Sequence, residues 1–460
     1  MELPIMNPPL APGPPGHFLL GNLREFRRDV LGLISHSTAK YGDIVRVRLG
    51  PQVVHLVNHP DLIEQVLQKR AANYDKNTRS SASIKSVTGD SLLTCNGEFW
   101  KRQRRMDQPA FHHRQIASFA DQMTTATRSM LDQWQAGPET LDIASEMAHL
   151  TYSIVGQTLF SFNTGEDAAI VEKAMRVILP HVFNRLGNIV NLPNWFPSPA
   201  NSRFKRSLAE VDRVVYRIID QHRQAQRNGQ LDHDLLTMLM NARDGTSGAG
   251  LDDSQLRNET ITFLLAGHET TANALTWIFY LISQHPKVEQ QLHQEISTVL
   301  AGRPPTLEDV PKLAYTKAVI QESMRLYPPI WIIERRVIAD DVISGFTLPA
   351  GSAVVVCPYA LHRHPTFWAD PEKFDPSRFQ NGTPEAYIPF GAGPRFCIGN
   401  EFAMLEAHLI TAMVMQSFRL TLVADHPVEP QPDITLRSKH GMRMMLHPRI
   451  SAVVPLPEER

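Results

Sequence analysis

Apolar positions recur at three- and four-residue spacing over most of this chain and alternate with polar ones only in short runs. The strongest recurrence runs from Leu256 to His285, where nearly every face is apolar, the pattern of a helix buried on all sides. Helical periodicity also covers 29–41, a segment from Pro60 to about Lys69, the turn around Trp100, then 114–135, 142–162, 166–186, 203–228, 232–243, 311–326 and the stretch from Asn400 onward. Alternation marks DIVRVRL and QVVHLV as a hairpin turned at Gly50-Pro51. It also marks IIERRVIADDVISGFTLPAGSAVVVCPY as short strands turning at Ser344-Gly345, and FRLTLV and MRMMLH as strands of the tail. Residues 73–94 are polar without a period and predict a long loop, as do residues 188–201, where prolines mix with Trp195 and Phe196. The predicted class is mainly α with a small β region. No linker, repeat or low-complexity run divides the 460 residues, which predicts one domain over 1–460 with a Pro-rich lead-in at 1–28.

Charge and composition narrow the function by exclusion. A formal net charge of −1 removes any global argument for nucleic acid as a partner. The three cysteines, Cys95, Cys357 and Cys397, are too few and odd in number to frame a disulfide scaffold, which predicts a reducing compartment and a cytoplasmic protein. The lead-in lacks the charged start and apolar run of a signal peptide, and no apolar stretch approaches the roughly 20 residues of a membrane span.

Two stretches break the rules of the elements they belong to. The middle of the buried helix reads FLLAGHETTANAL, placing Gly267, His268, Glu269, Thr270 and Thr271 where a core helix prefers Leu or Ala. A buried carboxyl there is costly without a partner, and local rules that fail inside a core mark a site. The second stretch, FGAGPRFCIG from Phe390 to Gly399, brackets Cys397 with glycines just before a helical pattern. Glycines at 391, 393 and 399 permit tight or left-handed backbone whose N–H groups can turn to the sulfur. A helix N-terminus favours negative charge, so the arrangement predicts a lowered thiol pKa and a metal ligand. A buried structural cysteine is the plainer reading of the same residue.

Taken together, Phe390, Gly393, Arg395, Cys397 and Gly399 resemble the cysteine loop of the cytochrome P450 family, and the resemblance extends over nearly the whole chain. It implies a helical prism enclosing haem b between an oxygen-binding helix and the helix after the cysteine. Cys397 would be the thiolate ligand of the iron, with Phe390, Arg395 and Gly399 around it. Trp100 and Arg104, one turn apart, match the family's Trp-x-x-x-Arg helix, which holds a haem propionate. Arg336 aligns best with the second propionate-binding arginine, with Arg335 as the competitor. Ala266 would face the haem, Glu269 and Thr270 would form the acid and alcohol of proton delivery, and His268 would pack or hydrogen-bond. Glu322, Arg325 and Arg378 match the structural Glu-x-x-Arg triad. Leu93, Phe263, Ala266, Ile330 and Ile332 would line an apolar substrate pocket, with the helices flanking 188–201 as its lid. Cys95 is unassigned and Cys357 structural.

The implied activity is that of a haem-thiolate monooxygenase placing one atom of dioxygen into a lipophilic substrate, with a terpenoid or fatty acid favoured and a steroid possible. No flavin or nicotinamide fingerprint occurs in the sequence. Electrons would therefore pass from NAD(P)H through a ferredoxin or flavodoxin and its reductase to a monomer, docking at Lys101, Arg102 and Arg105. A haem-thiolate isomerase, a peroxide-driven enzyme and a non-catalytic haem sensor are the alternatives.

Overall fold

The computed structural model describes residues 8–449 apart from 138, 162–164, 187–192, 194, 230–233 and 246. Its axis is the helix Asp253–Gln284, the central helix. Asp252 accepts from the Gln255 backbone while the Gln255 side chain reaches back to the Asp252 N–H, a reciprocal cap that sets the start. The interior is buried because other helices cover it on several sides, Ile143–Phe160 most extensively and the cysteine helix, Asn400–Ser417, on another. Gly267 is the contact that lets Ile143–Phe160 approach, since a Cβ there would sit 3.0 Å from Val155 Cγ2. The resemblance implies a helix opened at Ala266-Gly267; the helix is continuous instead, and the glycine serves interhelical packing.

The β region forms as alternation predicts and gathers more partners. Ile44–Leu49 and Gln52–Val57 make the hairpin, closed at Leu49 opposite Gln52. Gln52–Val57 then runs parallel to Ala353–Val356, which pairs antiparallel with Ile333–Val337, and Tyr74–Asp75 closes the five-stranded sheet. Asp341–Ile343 and Phe346–Leu348 turn through Ser344 and Gly345, both at positive φ. The tail strands Phe418–Leu422 and Arg443–Pro448 pair, with Thr140–Asp142 at the other edge. A short hairpin, Pro430–Pro432 with Leu436–Ser438, lies against the central helix. Trp277 fixes it there, donating from Nε1 to the Leu436 carbonyl at 3.0 Å while stacking on Tyr327 at 3.9 Å.

Four segments depart from the sequence reading. Residues 79–88, expected inside a loop, form a helix because Thr78 caps it through Ser81 N and Gly89 ends it at φ 63°. Pro286–Leu300 is a helix that opens on its proline, since Pro at the first position loses only a hydrogen bond the helix would not make. The end of the lead-in is the helix Leu23–Arg28. Residues 311 and 312 end the 3₁₀ turn Leu307–Lys312, and the helix proper is Ala314–Leu326. Parts of the 188–201 segment, and the start of the 232–243 segment, fall outside the described residues.

Glu322 and Arg325 form the buried hub of this part of the fold. Arg325 donates to Glu322 at 2.7 and 2.9 Å and to the carbonyls of His362, Pro371 and Lys373, while Arg378 Nε lies 3.4 Å from Glu322. One side chain thereby ties Ala314–Leu326 to the loop that leads into the cysteine segment.

Candidate active site

The cysteine loop takes its shape from its glycines. Gly391 and Gly393 hold φ 75° and 71°, and a Cβ on Gly393 would collide with the Leu67 carbonyl oxygen at 1.9 Å. The turn closes with Cys397 N donating to Phe390 O at 3.0 Å, and the helix begins three residues beyond the cysteine, at Asn400. Cys397 is exposed through a cavity of about 1340 Å³ that its side chain lines. Phe390, Ala392, Arg395 and Gly399 share that wall, as do Trp100 and Arg104.

The thiol pKa is raised, contrary to the sequence expectation. Desolvation dominates, and the Gly399 amide and the Arg104 charge only partly offset it. A thiolate here therefore needs a cation at the sulfur, and coordination to a metal deprotonates a thiol outright. Among the described residues no cluster of three or more His, Cys, Asp or Glu could hold a metal. One cysteine suits an iron whose other donors arrive with a macrocycle.

The charges around the cavity fit the two carboxylates of such a group. Lys76, Arg104, Arg335 and Arg395 all line it. Burial is the main cause lowering the pKa of each, to about 10 for Arg335 and for Arg395, which also repel one another. Arg395 spends one nitrogen on Cys95 O and Asn96 Oδ1, at 2.8 and 3.1 Å, and lies over the Trp100 ring; its Nη1 has no hydrogen-bond partner. Lys76 donates to Leu93 O at 2.8 Å. Buried cations drawn together with donors to spare form an anion site.

The assignment of Arg336 is corrected. Successive strand residues face opposite sides of a sheet, and Arg335 is the one turned to the cavity. Arg336 points away and is held by Asp75 at 2.6 and 3.1 Å. Arg335→Ala is therefore expected to weaken haem retention, read as the rate of haem transfer to apomyoglobin, while Arg336→Ala leaves it near wild type. The reverse ranking would reject the orientation.

The central helix lines the same cavity with Thr262, Phe263, Ala266, Gly267 and Thr270. The Thr270 hydroxyl donates back to Ala266 O at 2.6 Å while remaining on the cavity surface. Glu269 turns elsewhere: Thr435 Oγ1 donates to its Oε1 at 2.6 Å, and burial raises its pKa. His268 packs edge-on against Tyr152, and its carbonyl accepts from Thr151 Oγ1 at 3.0 Å. Leu93, Phe263, Ala266, Ile330 and Ile332 all line the cavity, joined by Ile84, Leu92, Phe183 and Ile434. Leu92 N donates to Glu259 at 2.8 Å, pinning this loop to the central helix. Burial raises the carboxyl pKa of Asp107, and burial together with the nearby Asp107 charge raises that of Glu259. Cys95 and Cys357 are buried thiols, pushed up to about 12 mainly by desolvation.

Sequence reasoning did not find Lys76 or Thr435. Each stands in a loop or hairpin without periodicity and reaches the site only through distant pairing.

A cavity lined by a glycine-framed cysteine, a helix bearing a hydroxyl and a set of cations defines a haem-thiolate site. The Cytochrome P450 family model matches residues 11–444. The chain is 38% identical to a cyclooctat-9-en-7-ol 5-monooxygenase of Streptomyces melanosporofaciens, over 87% of each chain. It is 35% identical to the cyclooctatin synthase of that organism, over 96% of this chain and 95% of the relative. Identity to the pentalenene oxygenase of Streptomyces avermitilis is 33%, over 94% and 96%. The chain belongs to the cytochrome P450 family. Its activity is that of a monooxygenase using haem and dioxygen. No helix among the described residues is long and apolar enough to cross a membrane.

Proposed function

We propose that this P450 hydroxylates a cyclic terpenoid. The observation that carries the reading is the set of apolar residues Leu93, Phe183, Phe263, Ala266, Ile330 and Ile332 that lines the same cavity as the cysteine. Of the cations that line the cavity, Lys76, Arg104, Arg335 and Arg395 are the ones this reading assigns to the haem carboxylates rather than to substrate. The relatives named for cyclooctat-9-en-7-ol and pentalenene support a ring hydrocarbon over a linear chain.

Haem, when bound, supplies the redox chemistry that activates dioxygen. In this reading Cys397 holds the iron, Lys76, Arg104, Arg335 and Arg395 hold the carboxylates, and the apolar wall positions one C–H bond of the substrate and excludes water. Thr270 holds a proton at its Oγ1 beside the reacting oxygen, and Glu269 replenishes it. That division of labour supports oxygenation over the isomerase, peroxide-driven and sensor alternatives, none of which needs a proton supply.

Electrons come from NAD(P)H through a ferredoxin or flavodoxin and its reductase, and the catalytic domain is a cytoplasmic monomer spanning 1–460. Lys101 and Arg105 are exposed, although Lys101 meets Glu98 at 2.7 Å and Arg105 approaches Asp244 at 3.6 Å, while Arg102 is half-buried and donates to Gly250 O, so the docking charge is partly neutralised at rest. The test is titration of the ferric protein with matched terpenoid and fatty-acid panels, then turnover under labelled dioxygen with a surrogate ferredoxin system. A high-spin shift and labelled alcohol from a cyclic terpenoid are expected. A response confined to fatty acids would contradict the substrate class.

A further inference from the structure

The hairpin Pro430–Ser438 carries polar groups that the fold does not require for pairing. Thr435, almost fully buried, donates to Glu269 Oε1 at 2.6 Å and accepts from Asn273 Nδ2 at 3.0 Å. Two residues to either side, Asp433, which lines the cavity, and Arg437, which does not, form an ion pair at 2.6 Å whose side chains are 19% and 39% exposed, so Arg437 is the end of the cluster that meets solvent. Trp331 Nε1 donates to Asp433 O at 2.9 Å and Leu436 N to Pro329 O at 2.9 Å, which hold the hairpin rigidly against the central helix. Glu269 is not part of the cavity wall, whereas Thr270, its neighbour on the helix, is. Successive helical side chains diverge by about 100°, so the acid faces the hairpin while the alcohol faces the cavity.

We propose that Thr435 is a positioning residue for proton delivery: it holds Glu269 at the hairpin, where the acid takes its proton from solvent beside Asp433 and Arg437 before yielding it toward Thr270. This rests on the acid and alcohol roles in the proposed function and adds where the proton enters. Thr435 occupies Oε1, and Oε2 is left to carry the proton. In the loading step an O–H bond of a protonated surface water breaks and one forms at the Glu269 carboxylate. In the release step that O–H breaks and one forms at the Thr270 oxygen as the Thr270 hydroxyl proton passes on to a water in the cavity, and the carboxylate re-forms. No electron moves in either step.

The groups acting on Glu269 set the sign of the pH dependence. Burial favours its neutral form, the Thr435 hydrogen bond and the Arg437 charge favour the carboxylate, and Asp433 opposes it. On the central helix Thr270 and Asn273 flank it, and Glu406 of the cysteine helix is turned to Thr271 instead. Removing the Thr435 hydroxyl therefore raises the pH at which Glu269 loses its proton.

The experiment is infrared titration of the ferric holoenzyme, following the carboxylic C=O stretch assigned to Glu269 by its loss in Glu269→Gln. The same variants are scored for product formed per NAD(P)H consumed and for solvent isotope effect. Thr435→Val is expected to raise the titration midpoint by about one pH unit, lower coupling several-fold and enlarge the isotope effect, with Thr435→Ser restoring all three. Arg437→Gln, at the surface and outside the packed core, is expected to move the midpoint in the same direction. An unchanged midpoint and coupling in Thr435→Val and Arg437→Gln, with coupling lost in Glu269→Gln, would overturn this inference alone. Unchanged coupling in Glu269→Gln would overturn the acid role itself and this inference with it.

Discussion

Cys397→Ser is expected to abolish oxygenation and to remove the thiolate signature of the reduced, carbon-monoxide-bound protein. The reason lies in what else could take the position. Cys95 and Cys357 are buried, their thiols resist ionisation, and neither opens onto the cavity wall. A serine hydroxyl is a far weaker acid than a thiol, and the desolvation that already opposes a thiolate at this site opposes an alkoxide more. The glycine framework of the loop is untouched by the change, so the folded protein should persist and the loss should be specific to ligation. Retention of both signature and turnover would mean that another residue holds the iron.

Arg325→Ala is expected to destabilise the protein by about 3–5 kcal/mol, read as a fall in denaturation midpoint and in the yield of haem-loaded protein. Both Arg325 and Glu322 are 0% exposed. The substitution leaves Glu322 charged in the core and strips the His362, Pro371 and Lys373 carbonyls of their donor. It also removes the guanidinium packed over Trp368 at 5.0 Å. Asp375 N and Arg378 still face Glu322 and offset part of the loss. Arg325→Lys should recover little, because an ammonium cannot serve the carboxylate and three divergent carbonyls at once. Arg336→Ala supplies the comparison: its pair with Asp75 is partly exposed and should contribute within about 1 kcal/mol. Equal costs for the two arginines would contradict the assignment of Arg325 as the buried hub.

Those two arginines also show how far the chain could be read without coordinates. The Glu-x-x-Arg spacing put Glu322 and Arg325 on one helical face, and the structure adds that this face is inside and that its partners are backbone carbonyls from 362–373. A sequence gives no sign of carbonyl partners. At Arg335 and Arg336 the limit is register: the strand is evident from its alternation, but which face is inward depends on pairing with Ala353–Val356, and a one-residue slip exchanges the two. The helix at 79–88 was hidden because it is short and mostly polar, with Ala82 and Lys85 exposed and only Ser83, Val87 and Thr88 buried. Pro286 reads equally as a stop or a start until the next turn is seen to pack. The cysteine loop was the most legible part, since a left-handed turn against the Leu67 carbonyl admits only glycine at Gly393 and leaves that requirement in the sequence. Lys76 and Thr435 were the least legible, each being an ordinary polar residue whose meaning comes from a wall built by distant segments.

The central claim is that Cys397 presents a thiolate to haem iron inside an apolar cavity ringed by buried cations. The absorption spectrum of the dithionite-reduced, carbon-monoxide-bound protein tests it most directly. A strongly red-shifted Soret band in the wild type, lost in Cys397→Ser, is the predicted result; an ordinary haem-protein band in the wild type, or a protein that takes up no haem, would contradict it.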